Sequence, residues 1–226
     1  MSNLYIVGTP IGNMEDMSFR AVKTLQSVDA ILCEDTRVTR KLLERYEINK
    51  PTISYHSQSK ISKIDHIIEM LSEGKSLALV SDAGTPTISD PGSFLISKIR
   101  EELPETLFVP IPGPTALATA LSASGFPSSD FLFLGFLPHK KGRQTIFKEI
   151  GETERTVVFY ESPHRFIKTL ESLKEVIAPK RKIAVARELT KIYEEIKVGT
   201  VPEIFKYYEE NPDKIRGEFV IIVSVA

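Results

Sequence analysis

The chain of 226 residues is short of several things, and each shortage excludes a class of protein. It has one cysteine, Cys33, so no internal disulfide can form, and the apolar neighbours Ala30, Ile31 and Leu32 mark that thiol as a buried strand residue rather than a nucleophile. It has almost no excess of charge, with 29 basic against 30 acidic side chains and a net charge of -1, which excludes a general nucleic-acid binder dependent on a broad positive surface. Any contact with nucleic acid must then be local. No long apolar run is present: the stretch 219–223 is typical, whereas a membrane helix needs about 20 such residues. The first residues lack a basic signal-peptide region, and a cytoplasmic protein is expected. His56, His66, His139 and His164 fall at no metal-ligand spacing, and no metal is expected. A G-x-G-x-x-G is absent, and residues 8–13 lack the Lys-Ser/Thr ending of a P-loop, which argues against dinucleotide and triphosphate chemistry.

What is present is an alternation of short apolar runs with longer amphipathic stretches, the pattern of an α/β fold with mostly parallel strands. Strands are expected at 4–7, 30–33, 77–80, 107–109, 131–134, 156–160, 183–186 and 219–223. Between them, 59–71 reads as a surface helix with Ile61, Ile64, Ile67, Ile68 and Leu71 on one face. Asp90-Pro91 and Ser162-Pro163 read as helix starts, the second helix burying Phe166, Leu170, Leu173 and Ile177. Three prolines at alternate positions, Pro110, Pro112 and Pro114, suggest a stiff connector between two α/β domains, 1–110 and 115–226.

Loops rich in small residues follow these strands, at the place where open α/β sheets bind ligands. They are 8–13, 34–37, 81–92 and 111–117, then 135–138 and 160–165 in the second half. In the second of them, Asp35 or Thr36 could simply cap a helix with Arg37 as a surface ion-pair partner, but two acids and an arginine at a strand end also suit a site. The loop 81–92 is long for a crossover, with glycines that permit close backbone approach and prolines that stiffen it. His164 at a helix start would tend to be neutral, and serves as a contact residue more readily than as a base. The basic runs 139–143 and 180–182 are patches that solvent or RNA could cover.

These motifs, taken in order from Thr9-Pro10-Ile11-Gly12-Asn13 through Glu34-Asp35-Thr36-Arg37, residues 81–92, Pro112-Gly113-Pro114 and Gly135-Phe136-Leu137-Pro138 to Phe159-Tyr160-Glu161-Ser162, residues 186–191 and Gly217-Glu218, resemble the rRNA small-subunit methyltransferase branch of the tetrapyrrole methylase superfamily. The resemblance runs from Leu4 to Val223. It implies a class III methyltransferase fold of two α/β domains with S-adenosylmethionine in the cleft between them, usually as a homodimer. It implies methyl transfer to the ribose 2′-hydroxyl of a decoding-region cytidine of 16S rRNA in the small ribosomal subunit. By the same resemblance Pro10, Asp82, Gly84, Thr85, Pro86, Ile88, Thr115, Ala116, Gly135, Tyr160, Leu189 and Gly217 bind the cofactor. Many relatives continue beyond the last strand, and without such an extension RNA binding should rely on the core.

A ribose hydroxyl needs a base as its proton leaves, and the carboxylates at strand ends are Glu34, Asp35, Glu161 and Glu188, among which the sequence does not choose. Arg37, Arg165 and Arg187 suit RNA phosphate. Two other readings are a methyltransferase acting on a carbon of a tetrapyrrole precursor and a non-catalytic ribosome-binding protein of the same fold.

Overall fold

In the computed structural model the chain divides into two compact units, Met1–Thr115 and Ala116–Ala226, and the structure describes residues 2–55, 61–90 and 92–225. The start of the helix expected from 59, and Pro91, lie outside the described residues.

The first unit alternates strand and helix: β1 (Asn3–Val7), α1 (Phe19–Ser27), β2 (Ala30–Cys33), α2 (Thr36–Arg45), β3 (Thr52–Ser54), α3 (Ile61–Ser72), β4 (Leu77–Val80), α4 (Gly92–Glu102) and β5 (Leu107–Ile111). All its strand pairs are parallel, in the order β3-β2-β4-β1-β5. Both faces of the sheet are covered, which is why β2 and β4 read as unbroken apolar runs. Val7, Ile31, Ala78 and Val80 pack with Ala21 and Leu25 of α1 and with Leu42 and Leu43 of α2. Leu4, Leu32, Leu77 and Leu79 pack on the other face with Ile64, Ile67 and Leu71 of α3 and with Leu95 and Ile99 of α4.

The connector read from the prolines is partly strand. β5 runs through Pro110 to Ile111 at the edge of the sheet, where a residue without an N–H is tolerated. Strand β3 was not expected at all.

The second unit contains α5 (Ala116–Ser124), β6 (Phe131–Phe136), α6 (Arg143–Glu152), β7 (Thr156–Glu161), α7 (Pro163–Val176), β8 (Lys182–Arg187), β9 (Glu195–Thr200), α8 (Val201–Glu210) and β10 (Phe219–Val223). Here the expectation of mostly parallel strands fails. In the order β6-β7-β10-β8-β9 only β6 and β7 pair in parallel; the other pairs are antiparallel. The unexpected strand β9 explains part of this, since residues 188–194 are too few for the crossover of a dozen or more that parallel neighbours require.

Two further expectations change. Gly135 (φ +60°) and Phe136 belong to β6, where the register slips between Phe133 and Phe136, rather than to a loop after it. Ser162 occupies the N-cap of α7 without a side-chain capping bond.

Arg181, in the middle of an expected surface patch, is buried at 5% exposure. Its guanidinium donates to the carbonyls of Ile150 (2.8 Å), Gly151 (3.2 Å) and Thr153 (3.2 Å) at the end of α6, and to Ser224 O (2.7 Å). It satisfies carbonyls that the end of a helix leaves open.

Candidate active site

In the first unit β1 leads through α1 to β2 on one side of the sheet, and β4 leads through α4 to β5 on the other. Neighbouring strands whose connections depart in opposite directions leave a crevice at their carboxyl ends, the usual ligand position in such sheets. Here that crevice lies between β1 and β4, and the loops 8–13 and 81–90 form its walls.

Those walls are stitched together. Thr9 and Gly84 exchange backbone hydrogen bonds (Thr9 N to Gly84 O 2.9 Å, Gly84 N to Thr9 O 3.1 Å), and Thr9 Oγ1 donates to Ser81 O at 3.1 Å. Gly84 has φ +83°, a left-handed conformation open to glycine. Thr85 Oγ1 reaches Pro114 O at 3.2 Å, which ties in the segment after β5. Gly8 and Gly113 pass so closely that a Cβ on Gly8 would stand 2.8 Å from Gly113 Cα. Farther along the loop, Asp90 Oδ1 accepts from Thr87 N (2.6 Å) and Gly92 N (3.1 Å). Pro10, Asp82, Gly84, Thr85, Pro86, Ile88 and Thr115 are thus brought to one end of the sheet; Ala116 begins the second unit.

Beside this crevice is a cavity of about 210 Å³ between the β1 and β4 loops and α2. Ile11, Met14, Val38 and Leu42 supply apolar wall, and Ser81 and Asp82 a polar rim. A pocket for a drug-sized ligand measures roughly 300–1,000 Å³, so this one suits a fragment such as a single base. The α2 residues in it escaped the sequence reading; the signal was the apolar pair Val38 and Leu42, four apart on an otherwise charged helix.

The carboxylates around the crevice differ sharply. Asp35 caps α2, accepting from Arg37 N at 2.8 Å, and pairs with the Arg37 guanidinium at 2.6 Å. These bonds lower its pKa to about 2, so it holds no proton near neutrality and is a cap rather than a base. Asp82 Oδ1 accepts from Asp35 N at 3.1 Å. Glu34 is pushed up, by burial first and then by the negative charges of Asp90 and Asp82, although an Asp82 backbone bond opposes the rise. Its surroundings thus favour proton uptake, the opposite of those of Asp35. Cys33 is fully buried, as expected, and burial pushes its thiol up.

In the second unit Gly135, Tyr160, Leu189 and Gly217 share one end of the sheet, because β6 and β7 finish there, β8 finishes there and β10 begins there. Tyr160 stacks edge-on against Phe133 and Phe136. Glu188 (φ +50°) accepts from Lys191 Nζ (2.8 Å) and Glu218 N (3.1 Å). Burial pushes Glu188 up, but these bonds and the Lys191 and Arg187 charges carry it below the usual range.

Three charged residues assigned to chemistry or RNA turn out to be internal. Glu161 has no exposed side-chain surface and accepts from Thr169 Oγ1 (2.6 Å) and Ser162 N (2.8 Å), with Arg165 at 2.8 Å and Arg143 at 3.4 Å. Its lone pairs are already committed, which is a poor state for a base. Arg165 also donates to Leu137 O at 2.7 Å; Arg187 is buried, with Nη2 donating to Tyr193 O at 3.0 Å and Nε left without a partner among the described residues, so burial rather than saturated bonding withdraws it from the surface. Arg37, 85% exposed, and the exposed His164 remain at the surface.

Among the described residues no three His, Cys, Asp or Glu side chains stand where they could hold a metal ion, and no helix is long and apolar enough to cross a membrane. Residues 3–204 match the family of tetrapyrrole (corrin/porphyrin) methylases. The chain belongs to that family. Within it, the chain is 49% identical over 225 residues to ribosomal RNA small subunit methyltransferase I of Bacillus subtilis, covering 99% of this chain and 75% of that one. It is 45% identical to the protein of the same name from Thermotoga maritima, covering 99% of each. This member of the tetrapyrrole methylases is therefore a methyltransferase of the ribosomal RNA small subunit methyltransferase I group, as the motifs suggested.

Solved structures resemble it at lower identity and show the fold. A cobalt precorrin-4 methyltransferase aligns with TM-score 0.69 at 17% identity, covering 98% of this chain and 94% of that one. Uroporphyrin-III C-methyltransferase of Thermus thermophilus complexed with S-adenosylhomocysteine aligns with TM-score 0.65 at 14% identity, covering 98% and 97%. The class III methyltransferase fold expected from the sequence is the fold observed.

Proposed function

We propose that the protein uses S-adenosylmethionine to methylate the ribose 2′-hydroxyl of a cytidine in the decoding region of 16S rRNA, on small ribosomal subunits in the cytoplasm, as a homodimer. The observation that carries this reading is the β1/β4 crevice. It opens at the carboxyl ends of two neighbouring strands, and Asp82, Asp90 and Glu34 crowd one side of it. A sulfonium cofactor is cationic and bears an ammonium group and hydroxyl donors, so an acid-lined crevice fits it.

When bound there, S-adenosylmethionine supplies an electrophilic methyl group. Pro10, Asp82, Gly84, Thr85, Pro86, Ile88 and Thr115 hold it in the first unit; for Ala116, Gly135, Tyr160, Leu189 and Gly217 the assignment rests on the resemblance. The acceptor oxygen must be held in line with the methyl at near-attack distance, and positioning of this kind supplies much of the acceleration. Glu34 would accept the proton that the ribose hydroxyl gives up.

Mapping 2′-O-methylation on 16S rRNA from cells with and without the gene tests the reading, together with methyl transfer in vitro to small subunits and to uroporphyrinogen. Loss of one cytidine mark in the deletion strain is expected. An unchanged rRNA map, or transfer to uroporphyrinogen alone, would overturn it.

A further inference from the structure

The outward face of α2 makes a repulsion that the fold does not use. Thr36–Arg45 carries four cations, Arg37, Arg40, Lys41 and Arg45, against one acid, Glu44, in a chain whose net charge is -1. All four cations are exposed. Arg37/Lys41 and Lys41/Arg45 are like charges four residues apart, a spacing that weakens a helix by about 0.2–0.5 kcal/mol per pair. Arg37 is answered by Asp35, but Arg40, Lys41 and Arg45 have no hydrogen bond or ion pair among the described residues. Three other helices, α4, α6 and α8, each pair a lysine with an acid: Lys98 with Glu102 (2.8 Å), Lys148 with Glu152 (3.7 Å) and Lys206 with Glu210 (3.8 Å). The same α2 turns Val38 and Leu42 into the apolar cavity beside the crevice.

We infer that the cationic face of α2 is an RNA-docking surface, on which Arg40, Lys41 and Arg45, with Arg37, hold the phosphates flanking the acceptor nucleotide. This rests on the rRNA reading above and names the part of the surface that grips the substrate. RNA that offers unstacked nucleotides presents successive phosphates along a strand, which a helical row of cations spaced three and four residues apart can track. The remainder of the chain carries more acids than bases, which makes this local row the natural grip.

The test compares wild type with Arg40→Gln/Lys41→Gln/Arg45→Gln and with the control Lys148→Gln/Lys206→Gln, which removes cations from matched pairs. Binding to unmethylated small subunits is measured from about 50 to 200 mM salt, beside S-adenosylhomocysteine affinity and melting temperature. The α2 variant should lose roughly 2 to 3 from the slope of log K against log salt, at ~0.7–0.9 per phosphate contact, with cofactor affinity kept and melting temperature unchanged or raised. Should it melt lower, Lys41→Gln, which removes both like-charge pairs, should lose about 0.7–0.9 on its own. A wild-type slope in the α2 variants, or an equal loss in the control, overturns the inference while methylation of subunits by wild type leaves the proposed function standing. Wild-type protein that transfers no methyl to subunits overturns both. Tight binding to phosphatidylglycerol vesicles that the α2 variant loses, without a change on subunits, assigns the face to a membrane and overturns the RNA surface.

Discussion

Arg165 Nη2, in the first turn of α7, stands 2.8 Å from Oε1 of Glu161, the last residue of β7, and the carboxylate is wholly shut off from water. Arg143 approaches the other oxygen and Thr169 Oγ1 donates to it. Removing one partner from a buried pair leaves an uncompensated charge, a loss of about 3–5 kcal/mol. Glu161→Ala and Arg165→Ala should therefore lower the melting temperature markedly, and Arg165→Ala should leave the salt slope of RNA binding alone. Chemical denaturation gives the first quantity; a stable Arg165→Ala protein with a reduced slope would return Arg165 to the RNA surface.

Glu34→Gln should separate stability from turnover. A carboxyl whose folded pKa is raised ionises more readily in the unfolded chain, so it weakens the fold as pH rises from the unfolded value through the folded one. At neutral pH the amide removes that penalty, and the variant should melt at or above wild type while methyl transfer collapses. Single-turnover assays on small subunits check this; full activity in the variant would remove Glu34 as the base.

Asp35 has the opposite sign. Its pKa falls to about 2 on folding, so its cap and Arg37 bond contribute fully above the unfolded value near 3.8 and are lost as pH drops through the folded one. Asp35→Ala should melt below wild type at pH 6, and the gap should close between about pH 4 and 2. Thermal unfolding of both proteins over that range measures it. A gap independent of pH would mean that the carboxylate charge contributes nothing.

Gly8→Val should part the β1 loop from the segment after β5, since even a Cβ there meets Gly113 Cα at 2.8 Å. Overpacking of this kind costs about 1–3 kcal/mol. Because the crevice is bounded by the same loops, cofactor affinity should fall with it. Calorimetry with S-adenosylhomocysteine is the check, and wild-type affinity would place the cofactor away from these loops.

The first unit was the more legible half. Continuous apolar strands such as Ala30–Cys33 and Leu77–Val80 are what a doubly covered parallel sheet requires, and each was followed by its loop. In the second unit the alternation of Glu195–Thr200 does not follow burial, since Val198 is exposed and Gly199 buried, so the hairpin with β8 and the antiparallel pairing are not legible there. Charge misled in a consistent way. Glu161, Arg165, Arg181 and Arg187 look like surface residues in a string of letters, because their burial depends on carbonyls and acids distant in sequence. The reverse held for α2, whose four cations were noticed only at Arg37.

Pro110 gives the first sheet a blunted margin. Its carbonyl faces away from β1, where Arg20 Nη2 donates to it at 3.2 Å, and a proline on that side has no N–H to offer. A bare border strand is a template for cross-β aggregation, in which a foreign chain zips on through alternating donors and acceptors. At Pro110 the donor is missing and the acceptor is occupied, so a growing ladder along β5 would break one residue before its end. This border is thus guarded against runaway self-association even when the protein is concentrated or newly made.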